Sequence, residues 1–155
     1  ARDACDQAIA IREALVKEVP TVPGLRSRLA WNYVCRSLVR SVLGEPADAA
    51  ADARRAIALW ERLRSRTARE WFEIACARAT LSGLAGRSGS GVSAAEAVTE
   101  AAAAMALLRK AADLGYRSAD AYRTEDALAP LRSRDDFKLL LMDLDMPANP
   151  FAAAP

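Results

Sequence analysis

The chain has 155 residues, a length that suits one compact domain or a short array of small units and excludes two large domains. Apolar residues make up 52% of it and charged residues 27%, and no stretch is apolar for long enough to span a membrane. Twenty-two basic residues against twenty acidic ones leave a net charge of +2, too small for the strong positive field of a dedicated nucleic-acid-binding protein.

Histidine is absent from the sequence, which removes the commonest general base and the commonest metal ligand together. Serine and cysteine nucleophiles therefore lack a histidine partner, and we predict no catalytic residue, no cofactor and no metal site. The three cysteines, Cys5, Cys35 and Cys76, do not have the close pair spacing of a metal-binding knuckle. We expect reduced cysteines packed in the core, which favours a cytoplasmic location.

Apolar residues recur every three or four positions along every long segment and never alternate for long, which predicts an all-α fold. The first three predicted helices span about 2–19, 25–43 and 46–64. Gly44 suits the position just beyond the end of the second helix, and Pro46 suits the first turn of the third.

The fourth and fifth predicted helices, about 68–83 and 93–114, each start with a hydroxyl residue that precedes a glutamate by three positions. Thr67 with Glu70, and Ser93 with Glu96, have the spacing of a capping box. We expect the two helices to begin at these residues.

Two shorter helices are predicted to complete a single domain over residues 1–146. One covers about 119–131 and should break near Thr124 and Pro130, and the other covers about 134–145 with Ser133 as its cap. We expect the tail, 147–155, to be loosely ordered.

Glycines are concentrated between the fourth and fifth predicted helices. Gly89 and Gly91, just before a helix, superficially match the dinucleotide-binding fingerprint. That fingerprint needs a preceding strand, and here a helix precedes it. We interpret the segment as a flexible connector.

Parts of the sequence repeat. Residues 6–15 match 54–63 at a shift of 48, and the same shift reaches 104–107. The preceding helices also correspond, with 31–35 matching 72–76 at a shift of 41. An array of antiparallel helix hairpins with a lengthened glycine–serine loop accounts for both shifts.

A further set of short motifs is distributed along the chain: Leu29-Ala30, Tyr33, Gly44-Glu-Pro-Ala-Asp-Ala49, Ala56, and residues 108–116, 128–137 and 147–151. Together they resemble the tetratricopeptide-repeat family, specifically the elongated repeats C-terminal to serine/threonine kinase domains in some bacterial proteins. The resemblance implies a right-handed solenoid of about seven helices that acts as an interaction scaffold in a larger signalling protein such as a kinase. Arg36 and Ser37 depart from it, since the family prefers a large apolar residue and a small glycine-like one there.

The first helix of each predicted hairpin is called a first-type helix, and the second and fourth predicted helices are of this type. The candidate partner-binding residues are polar side chains on these two helices: Arg28, Asn32, Arg36 and Arg40, with Arg69 and Glu73 at equivalent places in the fourth helix. A spacing of four places three guanidinium groups on one helix face. First-type helices line the concave surface of arrays of this kind, so the stripe is a candidate clamp for an acidic or phosphorylated peptide. The alternative is a solvated helix face.

We therefore predict a noncatalytic protein–protein interaction module with a protein or peptide partner and no membrane span. The alternative is an anion-binding or nucleic-acid-binding surface using the arginine stripe, with nucleic acid the less favoured partner. A third hypothesis is an all-helical enzyme whose active groups are acidic residues or come from chain outside these residues.

The first predicted helix has the template of the second member of a hairpin. We expect it to leave Ile9, Ile11 and Leu15 partly exposed and to support weak self-association. Trp60 should fill the space between helices, and Trp31, Trp71 and Phe72 fit core packing better than contact with a partner.

Overall fold

The computed structural model describes residues 2–22 and 24–146, and within them it contains seven α-helices, one 3₁₀ helix and no strand. The all-α prediction is confirmed. The elements are α1 (Arg2–Glu18), α2 (Leu25–Leu43), α3 (Pro46–Glu61), α4 (Ala68–Ser82), α5 (Ala94–Asp113), α6 (Ala119–Thr124), the 3₁₀ helix (Asp126–Leu131) and α7 (Asp135–Asp145). The predicted tail lies outside the described residues. None of the described helices combines the length and apolar character needed to cross a membrane.

Local signals set most helix ends as predicted. Thr67 and Glu70 form the full capping box, with Glu70 N donating to Thr67 Oγ1 at 3.2 Å and Thr67 N donating to Glu70 Oε2 at 2.7 Å. Gly44 adopts a φ of 80°, which ends α2 and allows Pro46 to open α3.

Three local predictions need correction. Ser93 accepts from Glu96 N, but the Glu96 carboxylate accepts from Arg54 at 2.8 Å, so only half of the second capping box forms. The predicted helix 119–131 breaks after Thr124, as expected, where Glu125 has an extended backbone and its side chain accepts from Ala127 N to start the 3₁₀ helix, but the second expected break is wrong because Pro130 lies inside that 3₁₀ helix. Ser133 is not the cap of α7, because Arg134 occupies that position.

Consecutive helices pack against each other from α1 to α5, and the α2–α3 and α4–α5 pairs make the most extensive contacts. Alanines at the α2–α3 interface allow close approach, since Ala49, Ala53 and Ala56 have no exposed surface. Trp60 is fully buried, as predicted. In addition, α2 contacts α4 directly, and this contact brings the first-type helices side by side.

Three positions related by the 48-residue shift are all buried. Ile9, Ile57 and Met105, which are separated by 48 residues each, are all buried. Ile9 therefore contradicts the expected exposure of α1, because it faces the core. Ile11 is 63% exposed and Leu15 is also exposed, so the prediction holds for those two residues.

The aromatic and sulfur side chains mostly belong to the interior. Phe72 is buried with its ring centroid 4.8 Å from that of Tyr116, whereas Trp31 and Trp71 are half-buried. All three cysteines are free thiols, and Cys76 alone is fully buried while the other two are half-buried.

The glycine-rich segment after α4 is held by specific contacts. Ser90 and Val92 are buried, Ser90 Oγ accepts from Val92 N, and Arg87 reaches back to the carbonyl of Ser41 in α2. The segment therefore fixes the α4–α5 connection against α2.

Candidate functional site

The structure separates the six predicted site residues into two groups. Those that line one cleft between α1, α2 and α4 are Arg28, Asn32, Arg69 and Glu73. The other two, Arg36 and Arg40, turn toward Asp52 of α3.

Arg36 is a structural residue. Its Nε and Nη2 donate to the two carboxylate oxygens of Asp52, each at 2.8 Å, and its Nη1 donates to Asp6 of α1 at 2.7 Å. Arg40 Nη1 donates to the same carboxylate at 2.8 Å. The prediction that Arg36 and Arg40 contact a partner is therefore corrected, because both guanidinium groups hold helices of this chain together.

Asp52 was missed by sequence reasoning although a signal was present. It interrupts the alanine stripe of α3 at a position with no exposed surface, and a buried carboxylate needs a cationic partner. Arg36 likewise places a charged side chain at a buried position of α2. The positive charge of Arg36 and the negative charge of Asp52 therefore compensate each other across the α2–α3 interface.

The cleft has a volume of about 450 Å³ and is open to solvent. Beyond the four predicted residues, the cleft is lined by residues of α1, of α2 and the position before it, and of the start of α4. They are Arg12, Gly24, Ser27, Trp31, Thr67 and Glu70. A neighbouring hollow of about 730 Å³ shares Gly24, Ser27, Thr67 and Glu70 with it. The two hollows therefore adjoin each other at the first turns of α2 and α4.

Two of the three arginines in the cleft are uncommitted. Arg12 is half-buried and Arg28 is exposed, and neither makes a hydrogen bond or ion pair within the described part of the chain. Arg69 is committed, since its Nε donates to Glu73 Oε1 at 3.0 Å. Sequence reasoning missed Arg12 because it lies on α1, which only the tertiary fold brings beside α2 and α4.

The first acidic residue of the cleft, Glu70, has its carboxylate occupied. It accepts from Ser27 Oγ and from the amide and hydroxyl of Thr67. Burial acts to raise the pKa of Glu70, but these hydrogen bonds outweigh it and hold the pKa below its usual value.

Glu73, the second acidic residue, lies deeper, and burial raises its pKa. The hydrogen bond from Arg69 opposes that rise without cancelling it. The Glu73 carboxylate therefore depends on a single arginine for its charge compensation.

Trp31 and Asn32 complete the cleft on the α2 side. Trp31 is half-buried and offers an apolar wall. Asn32 Nδ2 is shielded from solvent and has no acceptor in the described residues. The cleft thus combines uncommitted cations, an apolar wall and an unsatisfied donor, an arrangement suited to a carboxylate-bearing extended chain.

Comparison with the models of known protein families, with curated proteins and with solved structures finds no match for this chain.

Proposed function

We propose that this chain is a noncatalytic protein-interaction module that binds an acidic peptide segment of a partner in the cleft between α1, α2 and α4. The observation that carries the proposal is that Arg12 and Arg28, from two different helices, line one cleft and have no partner in the described residues.

The charges of the cleft favour an anionic ligand. Glu73 is paired with Arg69, and the Glu70 carboxylate is held by hydrogen bonds from the neutral residues Ser27 and Thr67. Three arginines therefore face two glutamates, so the cleft carries a net positive charge, and Arg12 and Arg28 are without a partner in the described residues. A guanidinium group presents a planar set of donors that fits a carboxylate with two parallel hydrogen bonds. Trp31 would add apolar contact beside these charges, a combination common at the centres of protein interfaces.

The arrangement of helices supports an interaction role. In a stack of helix hairpins, neighbouring first-type helices form one extended surface, and here α2 and α4 contact each other and share the cleft. The resemblance to kinase-linked tetratricopeptide arrays extends the proposal to a cytoplasmic signalling protein. The reading frame of the parent gene tests that extension, which fails if no kinase motifs are encoded upstream.

Fluorescence anisotropy with a short labelled peptide rich in glutamate and aspartate tests the cleft. We expect the charge-reversed variant R12E/R28E to bind at least about tenfold more weakly than wild type, because hydrogen bonds to charged groups each contribute more than neutral ones. The matched control is R62E/R109E, which reverses two exposed arginines outside this cleft.

Both double variants change the net charge from +2 to −2, because each arginine-to-glutamate change lowers it by two. Equal binding by the two variants would mean that net charge rather than the cleft attracts the peptide, and would overturn the proposal. An unstructured RNA in the same assay distinguishes the alternative, since tighter binding of RNA with a steep salt dependence would reassign the surface to nucleic acid.

A further inference from the structure

We propose that an anionic peptide entering the cleft draws Arg69 away from Glu73, and that Glu73 takes up one proton as the peptide binds. This inference rests on the proposed function of the cleft and adds to it a regulation of affinity by pH.

The geometry of the Arg69–Glu73 pair is asymmetric. The Arg69 side chain is 71% exposed and the Glu73 side chain is 11% exposed, although both line the cleft. Arg69 therefore lies at the rim, where its guanidinium group is free to turn toward a ligand, while Glu73 lies in the floor. Arg69 is also the sole hydrogen-bond donor to the Glu73 carboxylate among the described residues.

Few other groups near Glu73 would replace Arg69. The charged and titratable side chains around it are Arg69, Glu70 and Cys76 on α4, Cys35 and Arg28 on α2, Arg12 on α1, and Tyr116 after α5. Glu125 acts on the same two thiols and on Tyr116. Arg12 and Arg28 are the groups that the peptide itself would engage.

An ionised carboxylate in this floor would be left without compensation once Arg69 turns outward. Burial already raises the pKa of Glu73 while Arg69 opposes the rise. Loss of Arg69 raises the pKa further, since an unpaired buried charge is unstable relative to its protonated form.

The direction of the pH dependence follows from linkage. The pKa of Glu73 is higher in the complex than in the free protein, so the complex binds more protons. Affinity is greatest below the pKa of the free protein and falls as pH rises toward the pKa of the complex. One proton limits the slope to about tenfold per pH unit within that window, and above it affinity is constant.

The test uses a labelled peptide whose negative charges are tyrosine sulfates, because sulfate esters stay ionised throughout the range and the ligand itself does not titrate. Anisotropy is measured between about pH 5.5 and about pH 8.5, a range that avoids the ordinary carboxylates near pH 4. We expect wild-type affinity to fall with rising pH. Glu73→Gln should bind without that dependence and more tightly than wild type at the alkaline end, because a neutral amide releases Arg69.

Glu61→Gln is the matched control, since Glu61 is an exposed carboxylate that pairs with Arg78 outside the cleft. It should keep the wild-type slope. Calorimetric titration of the wild-type protein in buffers of different ionisation enthalpy measures proton uptake directly. That measurement keeps the test valid even if Glu73→Gln does not fold.

The outcomes separate the two proposals. Peptide binding with no pH dependence and no proton uptake would overturn the proposed proton uptake by Glu73 while leaving the proposed function intact. A wild-type slope in Glu73→Gln would assign the proton to another group and also overturn it. If neither the sulfated peptide nor the peptide rich in glutamate and aspartate binds at any pH, the proposed function is overturned, and the proton uptake by Glu73 with it.

Discussion

Arg36 of α2 and Asp52 of α3 form a buried ion pair through two parallel hydrogen bonds of 2.8 Å each. Arg36 is 8% exposed and Asp52 is fully buried. Because Arg36 also donates to Asp6 of α1, one guanidinium group links three consecutive helices. The cleft residue Arg12 lies on the helix that this link holds in place.

Removing one partner of the pair should be costly. We expect Asp52→Ala to lower the free energy of unfolding by about 3 to 5 kcal/mol, because it leaves the buried Arg36 and the half-buried Arg40 without the carboxylate that they share. Urea denaturation measures the loss. The control is Asp48→Ala, an exposed acidic residue in the first turn of the same helix, with an expected loss of at most about 1 kcal/mol. Similar losses in the two variants would contradict a structural role for Asp52.

Trp60 fills the space between helices and has no exposed surface. We expect Trp60→Ala to lower the free energy of unfolding by about 3 to 5 kcal/mol, because a large cavity remains in the core. Val42→Ala, at a largely exposed position, should change it by less than about 0.5 kcal/mol. A comparably small loss for Trp60→Ala would contradict the burial of this side chain between the helices.

Gly83 lies against Pro130 of the 3₁₀ helix. A Cβ at residue 83 would come within 2.5 Å of Pro130 Cγ, although the backbone φ of −71° suits any residue. We expect Gly83→Ala to destabilise the protein by about 1 to 3 kcal/mol through this overlap. Thermal unfolding of the double variant Gly83→Ala/Pro130→Ala checks the cause, since removing the proline ring should recover most of the loss. If the double variant loses as much as the sum of the singles, steric overlap is not the reason.

Weak self-association through the exposed apolar residues of α1, and of Val19 just after it, remains a prediction. Ile11, Leu15 and Val19 are all exposed at spacings of four residues. We expect light scattering at high concentration to show an increase in average mass that Ile11→Glu abolishes, because a charge on the stripe opposes apolar contact. Val98→Glu, at an exposed position on α5, should leave the increase unchanged. A strictly monomeric wild-type protein would count against the prediction.

Thiol reactivity should depend on burial. Desolvation is the main cause that raises the pKa of Cys35 to about 11, and burial raises the pKa of Cys76 as well. Because the thiolate is the reactive form, we expect both to react slowly with a disulfide reagent near pH 8 in the folded protein, and to react faster as pH rises. Peptide mapping after timed labelling gives the rate for each cysteine, with the urea-unfolded protein as the reference. Equal rates in the folded and unfolded states would show that these thiols are not shielded.

Several features of the fold could be predicted because their causes are local. The capping box at Thr67 and the left-handed turn at Gly44 depend on residues within a few positions of each other. Ser133 is not the cap of α7, because Arg134 takes that position, and the Arg134 side chain pairs with Asp136 two residues on through hydrogen bonds of 2.8 and 2.9 Å. At Ser93, the glutamate that should have completed the box is drawn to Arg54 on α3.

The candidate site was predicted in part. Arg28 and Asn32 of α2 and Arg69 and Glu73 of α4 line one cleft. The four-residue spacing selected the first two, and their equivalent places in the fourth helix selected the other two. Arg12 was not selected, since nothing within α1 distinguishes it from other polar residues of that helix.

The amino-acid sequence by itself determined the helical class and the spacing of polar residues along each helix, because backbone hydrogen bonding, capping and apolar periodicity act over only a few residues. The tertiary structure decided which arginines pair with carboxylates of this chain and which have no partner in its described residues. It buries Arg36 against Asp52 and leaves Arg12 and Arg28 uncommitted beside the Arg69–Glu73 pair. The physical reason is that the role of a guanidinium group depends on the carboxylates and the solvent around it, and packing between helices that are distant in the chain sets both.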